Sequence, residues 1–365
     1  MNAITLIHLD VPMMEPFRIS SGEVRSKESI LVQIERNGAT AFGEASPMSG
    51  AFYSRETPDS SWNFLRESAI PRMIAEGTFH PEFVLCSMAE NDDKFAWAGL
   101  EGALWDLAVQ EDDVTFCDRL GVQPAPIASG LAVGIYPTIS ELVEACRRYM
   151  KAGYKRLKIK IQPGWDIEPL RAVRGAFPNV PLMVDANAAY SEEHFPIFDE
   201  IDKMGLLMIE QPLAEKNISG SAQLQSRLAT PVCLDESAYD LAAVERALQC
   251  RACRIVNIKI QRVGGLLAAK RIYDLCAAQG VPNWMGTMPE LGIGALHALY
   301  MALLPNCSYP TDVEASRRWF ADDIIDPPIE VVVGWIEIPE AHRRRPTVNR
   351  DIVDKYTIRR VRIGF

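Results

Sequence analysis

Lys160, Asp185, Glu210, Asp235 and Lys259 follow one another at steps of 25, 25, 25 and 24 residues. Each closes a short apolar run, or stands beside its end: RLKIK, LMVD, LMIE, VCLD and VNIK. A charge at the end of a buried strand is costly unless it is paired or used. Five in phase, acids in the middle and lysines on the flanks, predict one site assembled from five successive strands. The same step started at Ile135 passes through all five and continues to 284 and 308, which makes eight strands of one period.

The stretches between the strands read as helices. TISELVEACRRYMKAGY opens on a Ser/Thr cap and closes at Gly153, and AAVERALQCR and GLLAAKRIYDLCAAQG follow the same pattern further on. Continuous apolar strands alternating with helices belong to parallel sheets buried on both faces. Eight such units in succession predict an α/β fold, a (β/α)-barrel of the TIM type over residues 126–318. That segment is compact for such a barrel, so some helices are expected to be short or missing.

Residues 1–125 have another rhythm. ITLIHLDV, SILVQIER and TAFGEA read as strands, whereas SWNFLRESAIPRMIAE and DKFAWAGLEGALWDLAVQE read as helices. This predicts a separate α+β region. Residues 319–365 break the period, and their strand-like IEVVV and WIEIP are expected to pack back on the open edge of the N-terminal sheet.

Net charge is −10, and the only basic run is Arg343-Arg344-Arg345, which argues against nucleic acid or an anionic membrane as a partner. The N-terminus lacks a signal-peptide pattern, and no stretch approaches the roughly 18 apolar residues of a membrane span. A cytoplasmic location is expected. The eight cysteines lie among apolar neighbours and read as reduced and structural; Cys250 and Cys253 form a lone C-x-x-C without the second pair a zinc site needs.

Barrel sites lie at the C-terminal strand ends, about 5 Å apart on neighbouring strands, so Asp185, Glu210 and Asp235 can converge. Three carboxylates together repel one another, and a hard divalent cation relieves this; all-oxygen ligation suits Mg²⁺, with Mn²⁺ as the other possibility. Lys160 and Lys259 flank the acids and would face each other across the metal. Opposed lysines and a metal suit removal of a proton next to a carboxylate, with the resulting enolate stabilised electrostatically. Lys158 shares a strand face with Lys160; it reads equally as a lysine that tunes Lys160 or as a structural ion-pair partner.

KIKIQPGWD, VDANAAY, IEQPL, LDES and NIKIQRVGG together resemble the enolase superfamily in its muconate-lactonizing subgroup, and the likeness covers nearly the whole chain. LEGALWDL resembles the family's capping-domain helix, YSRET a motif near its first sheet, and DVEASRRWFADDIIDPP the ending of o-succinylbenzoate synthases and N-acylamino acid racemases. The resemblance implies a modified (β/α)7β barrel under a capping domain built from both termini, and Mg²⁺ on Asp185, Glu210 and Asp235. It implies Lys160 as the base on one face. Lys259 on the other would stabilise the enediolate in a synthase or exchange the second proton in a racemase. Asn187 and Glu236 match residues that support the ligands. Pro16–Lys27 matches the family's substrate-specifying loop, with Phe17 and Arg18 as candidate substrate contacts.

Some residues depart from the family pattern. GTMPELGIG alters a substrate-facing loop through Thr287, Pro289 and Leu291, Gln261 stands where racemase-like members have Gly, and EAHRRRPTVN replaces a glycine-rich tail. The leading expectation is a lyase of the o-succinylbenzoate synthase type, dehydrating 2-succinyl-6-hydroxy-2,4-cyclohexadiene-1-carboxylate in menaquinone biosynthesis. Racemisation of N-acylamino acids such as N-succinylamino acids, alone or alongside dehydration, is the alternative. Muconate cycloisomerisation is third, and a non-catalytic barrel is opposed by the intact set of charges. The expected partner is a small-molecule carboxylate, and a homo-oligomer is left open.

Overall fold

The computed structural model describes residues 2–19, 22–50, 54–89 and 92–365. Tyr53 of YSRET, and Ser20 and Ser21 within 16–27, lie outside the described residues.

Strands β1 (Ala3–Ile19), β2 (Gly22–Arg36) and β3 (Ala39–Ala45) form an antiparallel meander. Its inner face is apolar and packs on helix α4 (Lys94–Glu111), in which 15 of 18 residues are buried. A helix that is apolar all round must be covered on every side, and α4 is, lying between the meander and the barrel. The approach to β3 is close: a Cβ on Gly43 would stand 2.1 Å from the Gly99 carbonyl oxygen, so only glycine fits. SWNFLRESAIPRMIAE belongs to one continuous helical stretch, α1 (Pro58–Phe64) and α2 (Ile70–Glu76) joined through a π-helical turn at Leu65–Ala69.

The period of 25 residues is the βα unit. Parallel strands β5 (Leu131–Val133), β6 (Leu157–Lys160), β7 (Leu182–Asp185), β8 (Ile209–Glu210), β9 (Val232–Leu234), β10 (Ile255–Ile258) and β11 (Asn283–Met285) lie side by side in chain order. Between and after them run α6 (Ile139–Met150), α7 (Ile167–Ala176), α8 (Phe195–Ile201), α9 (Ile218–Arg227), α10 (Leu241–Gln249), α12 (Leu266–Ala278) and α13 (Gly292–Ala302). All seven helices are present; the compactness is met by short strands and by the seven-residue α8.

The expected eighth strand around 308 is not a regular strand. It makes single parallel bridges instead, Cys307 to Asn283 of β11 and Thr311 to Ser129 just before β5, and so joins the two edges of the sheet. The architecture is a (β/α)7β barrel closed by an irregular eighth segment. No helix among the described residues is long and apolar enough to cross a membrane.

The C-terminal tail returns to the meander, but not through the segments expected. Strand β13 (Thr357–Gly364) pairs antiparallel with β1, from Ala3 with Gly364 to His8 with Arg359. WIEIP supplies only β12 (Trp335–Ile336), paired with β4 (Ile127–Ala128) beside the barrel, and Val332 of IEVVV bridges back to Trp335. Thr357–Gly364 alternates half-buried and exposed residues, which suits an edge strand.

Candidate active site

Strand alternation builds the barrel interior in layers. Met183, Met208, Cys233, Ile255 and Trp284 form an apolar floor. Two residues further along their strands stand Asp185, Glu210, Asp235 and Asn257, while Leu182, Val184, Ile209, Val232, Leu234, Val256 and Ile258 belong to the main core. On β6 and at Arg156 just before it, the same alternation sends Arg156, Lys158 and Lys160 to one face. The Arg156 guanidinium and the Lys158 ammonium lie 4.9 and 5.3 Å over the Trp284 ring.

The charged layer is buried and internally paired. Lys160 Nζ donates to Asp185 Oδ2 at 2.6 Å and to Asn187 Oδ1 at 2.8 Å. Lys158 Nζ pairs with Asp312, and lies 3.5 Å from Asp185 Oδ2 and 3.4 Å from Glu210 Oε2. Burial opposes the Lys158 charge, but Asp312, Glu210 and Asp185 outweigh it and hold the ammonium above the ordinary lysine range. Arg156 also pairs with Asp312, whose carboxyl falls to about 2 because these cations overcome the cost of burial. Asn257 Nδ2 donates to Glu210 Oε1 at 2.7 Å. Lys259 Nζ lies 3.0 Å from Asp235 Oδ2, and Arg262 bonds Asp235 Oδ1. Burial would raise the Asp235 carboxyl, yet Arg262 and Lys259 take it well below the usual range.

The loops that follow the strand ends are strained, and their side chains hold the acids. Asn187, Ala188 and Gln211 have φ of 42°, 61° and 37°, a region that non-glycine residues occupy at a cost. Asn187 donates its backbone N–H to Asp185 Oδ1 at 3.0 Å and Nδ2 to Glu236 Oε1 at 3.1 Å. Gln211 Oε1 accepts the backbone N–H groups of Asp235 and Ser237, and so ties the end of β8 to the end of β9.

Among the described residues, no three His, Cys, Asp or Glu side chains are already gathered as a metal-binding group; the acids turn toward lysine, arginine and amide instead. Their chemistry nevertheless fits a hard cation. Glu210 Oε2 and Glu236 Oε2 are buried without a hydrogen-bond partner. Burial pushes the Glu210 carboxyl to about 8, with Asp185 adding to the push, and burial together with Asp235 and Asp185 pushes Glu236 to about 7. These two oxygens carry the lone pairs the layer leaves for a cation.

Lys158, Lys160, Asn187 and Lys259 line one cavity of about 480 Å³ with Phe17, Thr287 and Pro289. Met48, Ala132, Met288, Asp312 and Trp319 complete it. Phe17 stands edge-on to Trp319 at 4.8 Å. Arg18 is exposed and meets the barrel through its backbone, its carbonyl accepting the N–H of Ile135 at 3.1 Å. Leu291 does not line the cavity: it is fully buried in the core, with its N–H donated to Glu44 Oε1 at 2.8 Å. Gln261 is also turned from the cavity, and bonds the backbone of Glu44 and Ser46 in the capping layer. Asp312, Gln211, Arg262 and Trp319 were not singled out from the sequence. Asp312 and Trp319 belong to DVEASRRWFADDIIDPP, Gln211 to IEQPL and Arg262 to NIKIQRVGG, so all four stand inside motifs visible in the sequence.

The chain is thus a capped (β/α)7β barrel that carries lysines on either side of a row of acids at its C-terminal strand ends. Residues 141–342 match the enolase C-terminal domain-like family, and residues 3–121 the N-terminal domain of the mandelate racemase / muconate lactonizing enzyme family. The chain belongs to this family, the muconate-lactonizing subgroup of the enolase superfamily, whose enzymes generally use a divalent metal. It is 42% identical over 356 residues to an o-succinylbenzoate synthase of Geobacillus kaustophilus, covering 97% of this chain and 95% of that protein. It is 36% identical to an N-succinylamino acid racemase of Amycolatopsis sp, over 100% and 99% of the two chains. An enolase-superfamily structure from Listeria innocua superposes with a TM-score of 0.93 at 32% identity, over 100% and 98%.

Proposed function

We propose that this protein removes the proton α to the carboxylate of a small substrate and completes a dehydration to o-succinylbenzoate. The observation that carries this reading is that Lys160 and Lys259 line one cavity and flank a buried row of acids. Asp185, Glu210 and Asp235 would hold the divalent cation, which when bound supplies positive charge for the substrate carboxylate and for the charge that builds up on it. Lys158 adds a fixed ammonium behind the row. Lys160, in its amine form and held by Asn187, takes the α proton. Lys259, as an ammonium, faces the negative charge that develops on the carboxylate side. The electron pair then expels the β-hydroxyl, which leaves as water with the proton returned from Lys160.

Racemisation of N-succinylamino acids is the second reading, favoured by the presence of a lysine on each side. There Lys160 removes the proton and Lys259 delivers one to the opposite face. Incubation in deuterated water with each substrate, read by NMR, separates the two. Dehydration of the cyclohexadiene carboxylate alone supports the synthase; α-deuterium exchange into both enantiomers of an N-succinylamino acid supports the racemase. Lys160→Ala should lose both reactions. Exchange that persists unchanged in that variant, or full turnover in excess chelator, would overturn the reading.

A further inference from the structure

Lys27 is 3% exposed, yet it is not part of the charged layer. An ammonium carries three N–H donors, and Lys27 places them on three backbone carbonyls, Ser46 at 3.0 Å, Pro47 at 3.2 Å and Met288 at 3.1 Å. Two of these lie on the loop after β3 in the capping layer, and the third on the loop after β11 in the barrel. Lys27 itself pairs with Val11 of β1, at the root of the hairpin arm whose far end carries Phe17. Each of the three segments it joins contributes to the cavity: Phe17 from the arm, Met48 from the first loop, and Thr287, Met288 and Pro289 from the second.

The packing around the junction is thin. Val24, Met48, Phe95 and Met288 form a small apolar cluster apart from the main cores, with Met13 against it. Flexible methionines adapt to many shapes and specify none of them, so position here depends on the polar junction. Glu290 and Glu44, both buried, act on Lys27 from a longer range. A charged donor held by neutral carbonyls makes stronger hydrogen bonds than a neutral one would.

We infer that Lys27 is a positioning residue for the substrate: its ammonium fixes the arm, the capping loop and the barrel loop relative to one another, and so sets the shape of the part of the cavity that reads the substrate away from the reacting carbon. This rests on the proposed function of the cavity. Lys160, Lys259 and the acids sit on rigid strand ends that Lys27 does not touch. Its loss therefore weakens substrate binding and discrimination while leaving the proton chemistry of bound substrate in place.

Lys27→Met keeps length and volume and removes all three donors. The expected result with the full-length protein and Mg²⁺ is a KM raised about 10-fold or more with kcat within about 3-fold, and a changed ratio of kcat/KM between the cyclohexadiene carboxylate and N-succinylamino acids. Lys27→Arg, which keeps the charge but not the three-carbonyl fit, should fall between, and it carries the test if the methionine variant does not fold. Hydrogen exchange read by mass spectrometry gives an arm independent of turnover: segments 46–48 and 286–290 should lose protection while strands β6 to β10 keep theirs. If the natural protein acts on neither substrate, the functional reading fails and the exchange arm still decides the role of Lys27. Unchanged protection in both loops would overturn the inference. So would a kcat that falls at constant KM, or a lowered thermal midpoint with KM and substrate ratio untouched.

Discussion

Asn187 joins three partners from one residue. Its Oδ1 accepts from Lys160, its Nδ2 donates to Glu236, its backbone N–H donates to Asp185, and its φ of 42° turns the chain away from the strand. Asn187→Gly keeps the backbone link and relieves the φ but removes both side-chain bonds. Partners that orient a reacting group are commonly worth about 10–100-fold. The expected outcome is a drop of that order in α-deuterium exchange at saturating substrate, with a thermal midpoint close to the natural protein. Glu210 carries a different prediction. Its Oε2 is buried without a hydrogen-bond partner among the described residues and its carboxyl is raised by burial, so the site gains when a cation arrives. Glu210→Gln keeps the shape and the bond from Asn257 but loses the charge. Calorimetric titration with Mg²⁺ should show affinity reduced by about 10-fold or more; equal affinity in the two proteins would remove Glu210 from the ligand set.

At the level of elements, β13 shows why the sequence is an incomplete guide to the edge of a sheet. TIRRVRIG alternates arginine with apolar residues, and beside the Arg343-Arg344-Arg345 run it reads as a polar tail. In the fold, Val361 and Ile363 pack against the meander core, Arg359 lies on the same face over the Trp62 ring and reaches Asp59, and Arg362 pairs with Glu35 on the outer face. Exposed ion pairs of this kind are worth about 0–1 kcal/mol. Pairing of the β1 edge and burial of the two apolar side chains are therefore the larger effects. Ending the chain after Tyr356 should lower the thermal midpoint by roughly 5 °C or more and promote aggregation through the freed edge of β1, whereas Arg362→Ala should leave both nearly unchanged. The repeating βα units were legible because each carries its own signal within 25 residues. The eighth segment and β13 take their form from partners more than 150 residues away, Ser129 for Thr311 and β1 for β13, and no local pattern encodes such a meeting.

For the whole molecule the same distinction holds inside the site. The residues in phase with the repeat could be named from the sequence, since the barrel delivers every strand end to one mouth. Asp312 and Gln211 lie within DVEASRRWFADDIIDPP and IEQPL, but their roles come from buried partners on other strands, which no local pattern shows. Buried acids elsewhere set how stability depends on pH. Burial pushes Glu101 to about 8 even though it accepts the N–H groups of Leu266 and Leu267, and it pushes Glu290 and Glu314 to about 7. In the unfolded chain these groups titrate near 4.3. Between the two values the folded state holds protons that the unfolded state has released, so stability falls as pH rises. Histidine works the other way: burial lowers His297 to about 4 and also lowers His8 and His342, but that rise in stability is complete once the unfolded histidines have titrated near 6.5. The falling limb is thus unopposed from about pH 6.5 to 8, below the range in which Lys27, lowered to about 8, begins to act with the opposite sign. At saturating Mg²⁺ the urea midpoint should decline across that window. Glu101→Gln cannot ionise and keeps an oxygen for one of the two N–H groups, so it should be less stable at every pH yet flatten the decline by up to about 1.4 kcal/mol per pH unit. Parallel profiles for the two proteins, or a midpoint that rises toward pH 8, would mean that Glu101 is ionised within the fold and that the capping helix carries a buried charge against the N-terminus of α12.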